Sequence, residues 1–216
     1  MTSATSPYRI KIGYNAFLVI LCLVFACIWI WSLMHTSDAG NWLMENSTVV
    51  LFIGVLIFTY PYFKFSDLSY LLFFIFFLLH LYGSQYTYPH NPLGEWLQGL
   101  TGSARNPYDR IVHFCFGLLL AYPMRELCLN YIKTSSTLAW ILPVVFSLSF
   151  GALYEVIEWL LASLVSPQKS ADFLGMQNDQ WDAQKDMALA FVGSFCGVSL
   201  ISISKKLIGP RSAITR

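Results

Sequence analysis

Charged side chains are scarce. Asp, Glu, Lys and Arg make up 12% of the 216 residues and hydrophobic residues 56%, whereas in a soluble domain about a quarter of the residues are charged. So few charges cannot cover a globular surface in water, but they suit a chain whose outer face meets lipid. A basic stripe, zinc-finger spacing and aromatic–basic interleaving are also missing, which excludes nucleic acid as a partner. There is no P-loop, dinucleotide fingerprint, H-E-x-x-H or nucleophile elbow. The five cysteines, Cys22, Cys27, Cys115, Cys128 and Cys196, contain no C-x-x-C pair and lie in or beside apolar segments. They read as small buried hydrophobes and not as a disulfide framework.

Long apolar runs are what the chain has in quantity. Six stand out, at 12–34, 48–63, 68–82, 108–124, 137–164 and 187–204. A membrane span needs roughly 20 residues at about 1.5 Å rise each. The second and third runs are short and separated only by Lys64 to Asp67. A tight helical hairpin suits them, with Pro61 near its turn. The first run is too long for a signal-peptide core and no A-x-A-like site follows it, so it reads as a retained anchor. Segments 83–106 and 165–182 show no helical period and are rich in turn formers, so they read as ordered loops. The expected fold class is an all-α polytopic membrane helical bundle, with residues 1–216 forming a single domain whose first partner is the lipid bilayer.

The basic residues set the orientation. With both termini in the cytoplasm, Arg9, Lys11, Lys64, Arg125, Lys133, Lys205, Lys206, Arg211 and Arg216 fall inside. Arg105, Arg110, Lys169 and Lys185 remain outside. Among the acidic residues only Asp67 and Glu126 fall inside, and the other ten gather in the outer half. Carboxylates contribute little to topology, so this enrichment asks for a chemical cause.

Glu155 and Glu158 carry the strongest signal. They lie inside the fifth run and share a helix face at i,i+3. A carboxylate at mid-bilayer costs about 2.5–3.5 kcal/mol on insertion scales, so two of them require protonation, a cation or a water-filled cavity. The bland alternative is an ion pair with Arg110. Asp109, Arg110 and His113 open the fourth run behind Asn106, which reads as its N-cap, and Pro107, which reads as the first helical residue. That explains Asp109 as part of a cap but leaves His113, one turn on, unexplained. Asp182 and Asp186 share a face at i,i+4 after Asp179, itself a plausible N-cap. The helix dipole accounts for acids in a first turn, yet like charges at that spacing repel and a nearby cation would settle them. His80 and His90 read as structural, hydrogen-bonded histidines, and Gly193 with Gly197 as a close-packing pair.

These motifs resemble one family. Arg105-Asn106-Pro107-Tyr108-Asp109-Arg110 with His113-Phe114, Tyr122-Pro123-Met124-Arg125-Glu126, Tyr154-Glu155-Val156-Ile157-Glu158-Trp159, and Asp179-Gln180-Trp181-Asp182-Ala183-Gln184 with Asp186-Met187 are similar to the YjdF-like bacterial inner-membrane proteins. The resemblance implies a multi-pass protein of the bacterial inner membrane and names no substrate or reaction. The family pattern ahead of the last helix looks like Leu-Gly-Thr-Gln-Gly-Asp, where this chain has Leu174-Gly175-Met176-Gln177-Asn178-Asp179. Asn tolerates a left-handed turn position, so the loop is expected to survive the change.

Three functions fit the residues. One is metal-assisted hydrolysis or transfer on a phosphate-containing lipid or small anionic metabolite at the outer face. Arg110, His113, Glu155 and Glu158 would then be catalytic, and Asp109, His113, Glu155, Glu158, Asp182 and Asp186 would hold a divalent ion. The second is a proton- or ion-coupled transporter with Glu155 and Glu158 as carriers, and the third a non-catalytic membrane organiser. No residue pattern specifies an oligomeric state.

Overall fold

Apolar stretches of this length fold as helices in lipid because each backbone N–H and C=O must find its partner within the segment. The computed structural model describes residues 15–208. It contains α1 (Ala16–Met34), α2 (Ala39–Thr59), α3 (Asp67–Tyr86), a 3-10 turn (Tyr88–His90), α4 (Pro92–Thr101), α5 (Tyr108–Asn130), α6 (Leu138–Ala162), α7 (Pro167–Leu174) and α8 (Asp182–Ile208). There is no strand among the described residues. Six of the helices, α1, α2, α3, α5, α6 and α8, are long and apolar enough to cross a membrane, so the all-α polytopic expectation holds. The first three residues of the expected first span lie outside the described residues, as do Arg9, Lys11, Arg211 and Arg216.

The largest differences from the sequence reading fall in three places. The second span begins at Ala39, nine residues before the expected start. Asp38 caps it by accepting the amides of Gly40 and Asn41 at 2.8 and 3.0 Å, and Asn41, Trp42, Glu45 and Asn46 are buried on its first turns. Segments 83–106 and 165–182 each contain a short helix, α4 and α7. Both begin with Pro at the first helical position and end at a left-handed glycine, Gly102 or Gly175, the pairing that starts and stops helices. They are too short for a hydrophobic period to stand out.

By packing, the chain divides into two compact units, and it passes from one to the other within α5, within α6 and ahead of α8. The first comprises residues up to Asp109 with Glu158–Asn178; the second comprises Arg110–Ile157 and the chain from Asp179 onward. In the first unit, α3 packs against α1 and α2 through aromatic side chains. Phe77 lies 5.7 Å from Phe25 and 5.4 Å from Phe52, centroid to centroid. In the second unit, α5 and α8 approach so closely that a Cβ on Gly117 would collide with the Ala190 carbonyl. One on Gly193 would collide with the Phe114 carbonyl, and one on Gly197 with that of Leu118. The Gly193–Gly197 pair therefore does what its spacing predicts.

Large apolar side chains such as Phe58, Leu23, Leu153 and Phe195 are exposed, a surface suited to hydrocarbon. Cys22 and Cys27 sit on this exposed face of α1, contrary to the buried reading, and Cys128 is buried.

Candidate functional site

In the second unit, three helices bring polar groups together. His113, on the second turn of α5, places Nε2 3.5 Å from Glu155 Oε1 on α6. Asp186, on the second turn of α8, offers a carboxylate oxygen within 4.8 Å of a His113 ring nitrogen. His113 and Asp186 are buried, and Glu155 is largely so. The close α5–α8 contact at Gly117 and Gly193, about one to two turns further along each helix, draws these ends together. Asp109 stands one turn before His113 on α5.

A second group stands at the entry to α8. Arg110 forms ion pairs with Asp179 and, at 3.4 Å, with Asp182. Lys185 reaches Asp179 at 2.6 Å. The cation that the Asp182–Asp186 repulsion asked for is thus Arg110, at Asp182. Hydrogen bonding from Lys185 foremost, with the Trp181 amide and Arg110, holds the Asp179 carboxyl down at about 2. Asp179 also accepts the Trp181 amide at 3.1 Å, a cap-like role at the start of α8. The Arg110 Nε is buried and has no hydrogen-bond partner among the described residues.

Asp109 and Glu158 pack with the first unit. Asp109 lies 3.6 Å from Arg105, which precedes α5 by three residues. Asn106 caps α5 as expected, its Oδ1 accepting the Tyr108 amide at 3.0 Å. Glu155 and Glu158, neighbours on one helix face, thus divide between the two units.

The sequence reading missed a buried polar network in the first unit. Glu45 and His80, 1% and 4% exposed, face each other across α2 and α3. The Tyr88 hydroxyl lies 2.7 Å from His80 Nδ1, and His80 Nε2 lies 3.3 Å from the Glu45 carbonyl oxygen and 4.0 Å from its carboxylate. Burial first, then the charges of Glu45 and Asp109, push the Tyr88 phenol well above its ordinary range. The Glu45 carbonyl oxygen can only accept, so Nε2 carries the hydrogen that faces it and Nδ1 accepts from the Tyr88 hydroxyl. Beside it, Asn106 donates to the carbonyls of Pro89 and Asn91. Gln177 clamps the Asn106 backbone from both sides, accepting its amide at 2.8 Å and donating to its carbonyl at 3.2 Å. Gln177 and Asn178 have φ of 47° and 68°, so Asn178 takes the left-handed position expected of it. His90 is exposed. The signal for Glu45 was present: Asp38 as a cap, then Asn41 and Glu45 at i,i+4 and Trp42, Asn46 and Val49 on the same period.

The family described as "Predicted membrane protein (DUF2238)" matches residues 17–206. The chain is 35% identical over 182 residues to the inner membrane protein YjdF of Escherichia coli (strain K12), covering 83% of this chain and 86% of that protein. No solved structure matches. The polar motifs on α5, α6 and α8 and the six apolar helices thus sit within a match spanning most of the chain, and the chain belongs to the DUF2238 family of membrane proteins.

Proposed function

We propose that the chain is an inner-membrane enzyme that uses a divalent ion for hydrolysis or group transfer on a phosphate-containing lipid or metabolite at the outer face. The carrying observation is His113 on α5, whose Nε2 lies 3.5 Å from Glu155 Oε1 on α6 and whose ring has a nitrogen within 4.8 Å of an Asp186 carboxylate oxygen on α8. An imidazole with two carboxylates matches the nitrogen–oxygen donor sets of Mn²⁺ and Zn²⁺ sites. Asp109, four residues before His113 on α5, and Glu158, three after Glu155 on α6, are the sequence's further ligand candidates, and both pack with the first unit. A bound ion would supply a water of lowered pKa for attack.

Arg110 has a separate role in this reading. Asp179 and Asp182 hold its guanidinium, while its unused Nε–H supplies a directed donor for an anionic group. Asp182 accordingly serves as an orienter of Arg110 ahead of being a metal ligand.

Metal analysis of full-length protein purified without chelator tests the reading. One Mn²⁺ or Zn²⁺ per chain is expected, lost in His113→Gln and Asp186→Asn and retained in Asp182→Asn. A folded wild type that takes up neither ion on titration overturns the enzyme reading. The His113–Glu155 pair then stands as a proton-sharing couple of the kind a proton-coupled carrier uses.

A further inference from the structure

The motif Tyr122-Pro123-Met124-Arg125-Glu126 takes no part in that chemistry. It lies about 18 Å further along α5 from His113, at 1.5 Å per residue, at the end that the basic residues assign to the cytoplasm. Arg125 is 7% exposed. Its Nε is buried without a hydrogen-bond partner, and among the described residues the side chain forms no ion pair. A buried guanidinium left in this way is costly. What it does have is an aromatic face, with Cζ 3.9 Å from the centroid of Trp140 on α6. Stacking alone would account for one cation.

Here a second is present. Lys205, near the end of α8, brings Nζ to 5.4 Å from the same ring, so three helices of one unit bring two like charges to one indole. Like charges gathered without a carboxylate between them are stable together when an anion sits against both. We propose that Arg125, Trp140 and Lys205 form a binding site for a phosphate group, carried by an anionic phospholipid headgroup or free in solution. Arg125 presents a planar fork to the phosphate oxygens, Lys205 adds a mobile point charge, and Trp140 fixes the guanidinium plane. Basic pockets between spanning helices at the headgroup level bind lipid phosphates in this manner. Lys206, exposed beside Lys205, adds to the local positive field.

The test uses full-length protein in detergent and native mass spectrometry, with phosphatidylglycerol set against phosphatidylcholine of the same acyl chains. The wild type should retain phosphatidylglycerol in preference. Arg125→Gln and Lys205→Gln should each lower its occupancy by about tenfold, one charged contact's worth, and Arg125→Lys should recover part of the loss. Lys205 is exposed, so its replacement keeps the test decisive if Arg125→Gln does not fold. Inorganic phosphate forms the second arm. Displacement of the lipid by millimolar phosphate identifies a site for the free ion, and resistance to it identifies a headgroup site. Equal retention of the two lipids by the wild type with no phosphate effect, or binding unchanged in both Gln variants, overturns the proposal.

Discussion

Asp179 shows how a single side chain can carry a pH response. Its carboxyl is held at about 2, below the ordinary 3.8, chiefly by hydrogen bonding from Lys185. A folded-state value below the unfolded one stabilises the fold above the unfolded value, and that contribution disappears as pH falls through the folded value. Thermal unfolding of detergent-solubilised wild type and Asp179→Asn should therefore converge between about pH 4 and pH 2. A gap that stays constant over that window contradicts the assignment. Tyr88 tests the hidden network instead. Tyr88→Phe removes the donor 2.7 Å from a buried imidazole nitrogen, at a cost of about 1–3 kcal/mol in detergent unfolding titrations. His113 and Glu155 were legible because an ionisable group in an apolar run stands out, and Asp182 and Asp186 because two acids at i,i+4 stand just ahead of the last run. Glu45 went unread despite its helical spacing from Asn41, since the turns around it are polar enough to pass for a loop. His80 looked structural on its own, and only the fold supplies Tyr88 and Glu45 as its partners.

At the scale of elements, the contact of α5 with α8 sets the spacing of the ligand-bearing turns. Gly117 and Gly193 each face backbone on the opposite helix with no room for a methyl group, and backbone cannot yield as a side chain can. Gly193→Val should cost at least about 2–3 kcal/mol and lower metal uptake at His113 and Asp186 together. Gly54→Ala, where an added Cβ meets nothing within 4 Å, should be neutral or stabilising by up to about 1 kcal/mol. Loss of stability in both variants to the same degree would argue against a specific α5–α8 contact. Gly193 and Gly197 were legible as a spaced pair, whereas Gly117 has no such pattern and emerges only from the fold. Helices α4 and α7 went unread because eight to ten residues give at most three turns of period, and their Pro and Gly ends look like turn signals until both ends are considered together.

For the molecule as a whole, six of the described helices are long and apolar enough to cross a membrane, an even number, and the basic residues are the guide to orientation. We propose that both ends are cytoplasmic and that the two packing units act as one membrane domain, since the chain leaves and re-enters each of them. With six crossings in that orientation, Lys64 and Lys133, in the short connections after α2 and α5, and Lys205 and Lys206, at the end of α8, would all be cytoplasmic. Inverting the chain would export nine of its thirteen basic residues, mostly in short segments where the positive-inside bias is strongest. The same orientation carries α4 and α7, with Glu45, His80, Glu155 and Asp186, to the outer face. Alkaline phosphatase fused after Thr101, at the end of α4, or after Ser170, within α7, should be active, and green fluorescent protein at either position should stay dark. Fluorescence from either fusion would reverse the chain in the membrane, moving the proposed metal site to the cytoplasmic face and Arg125 with Lys205 to the outer one.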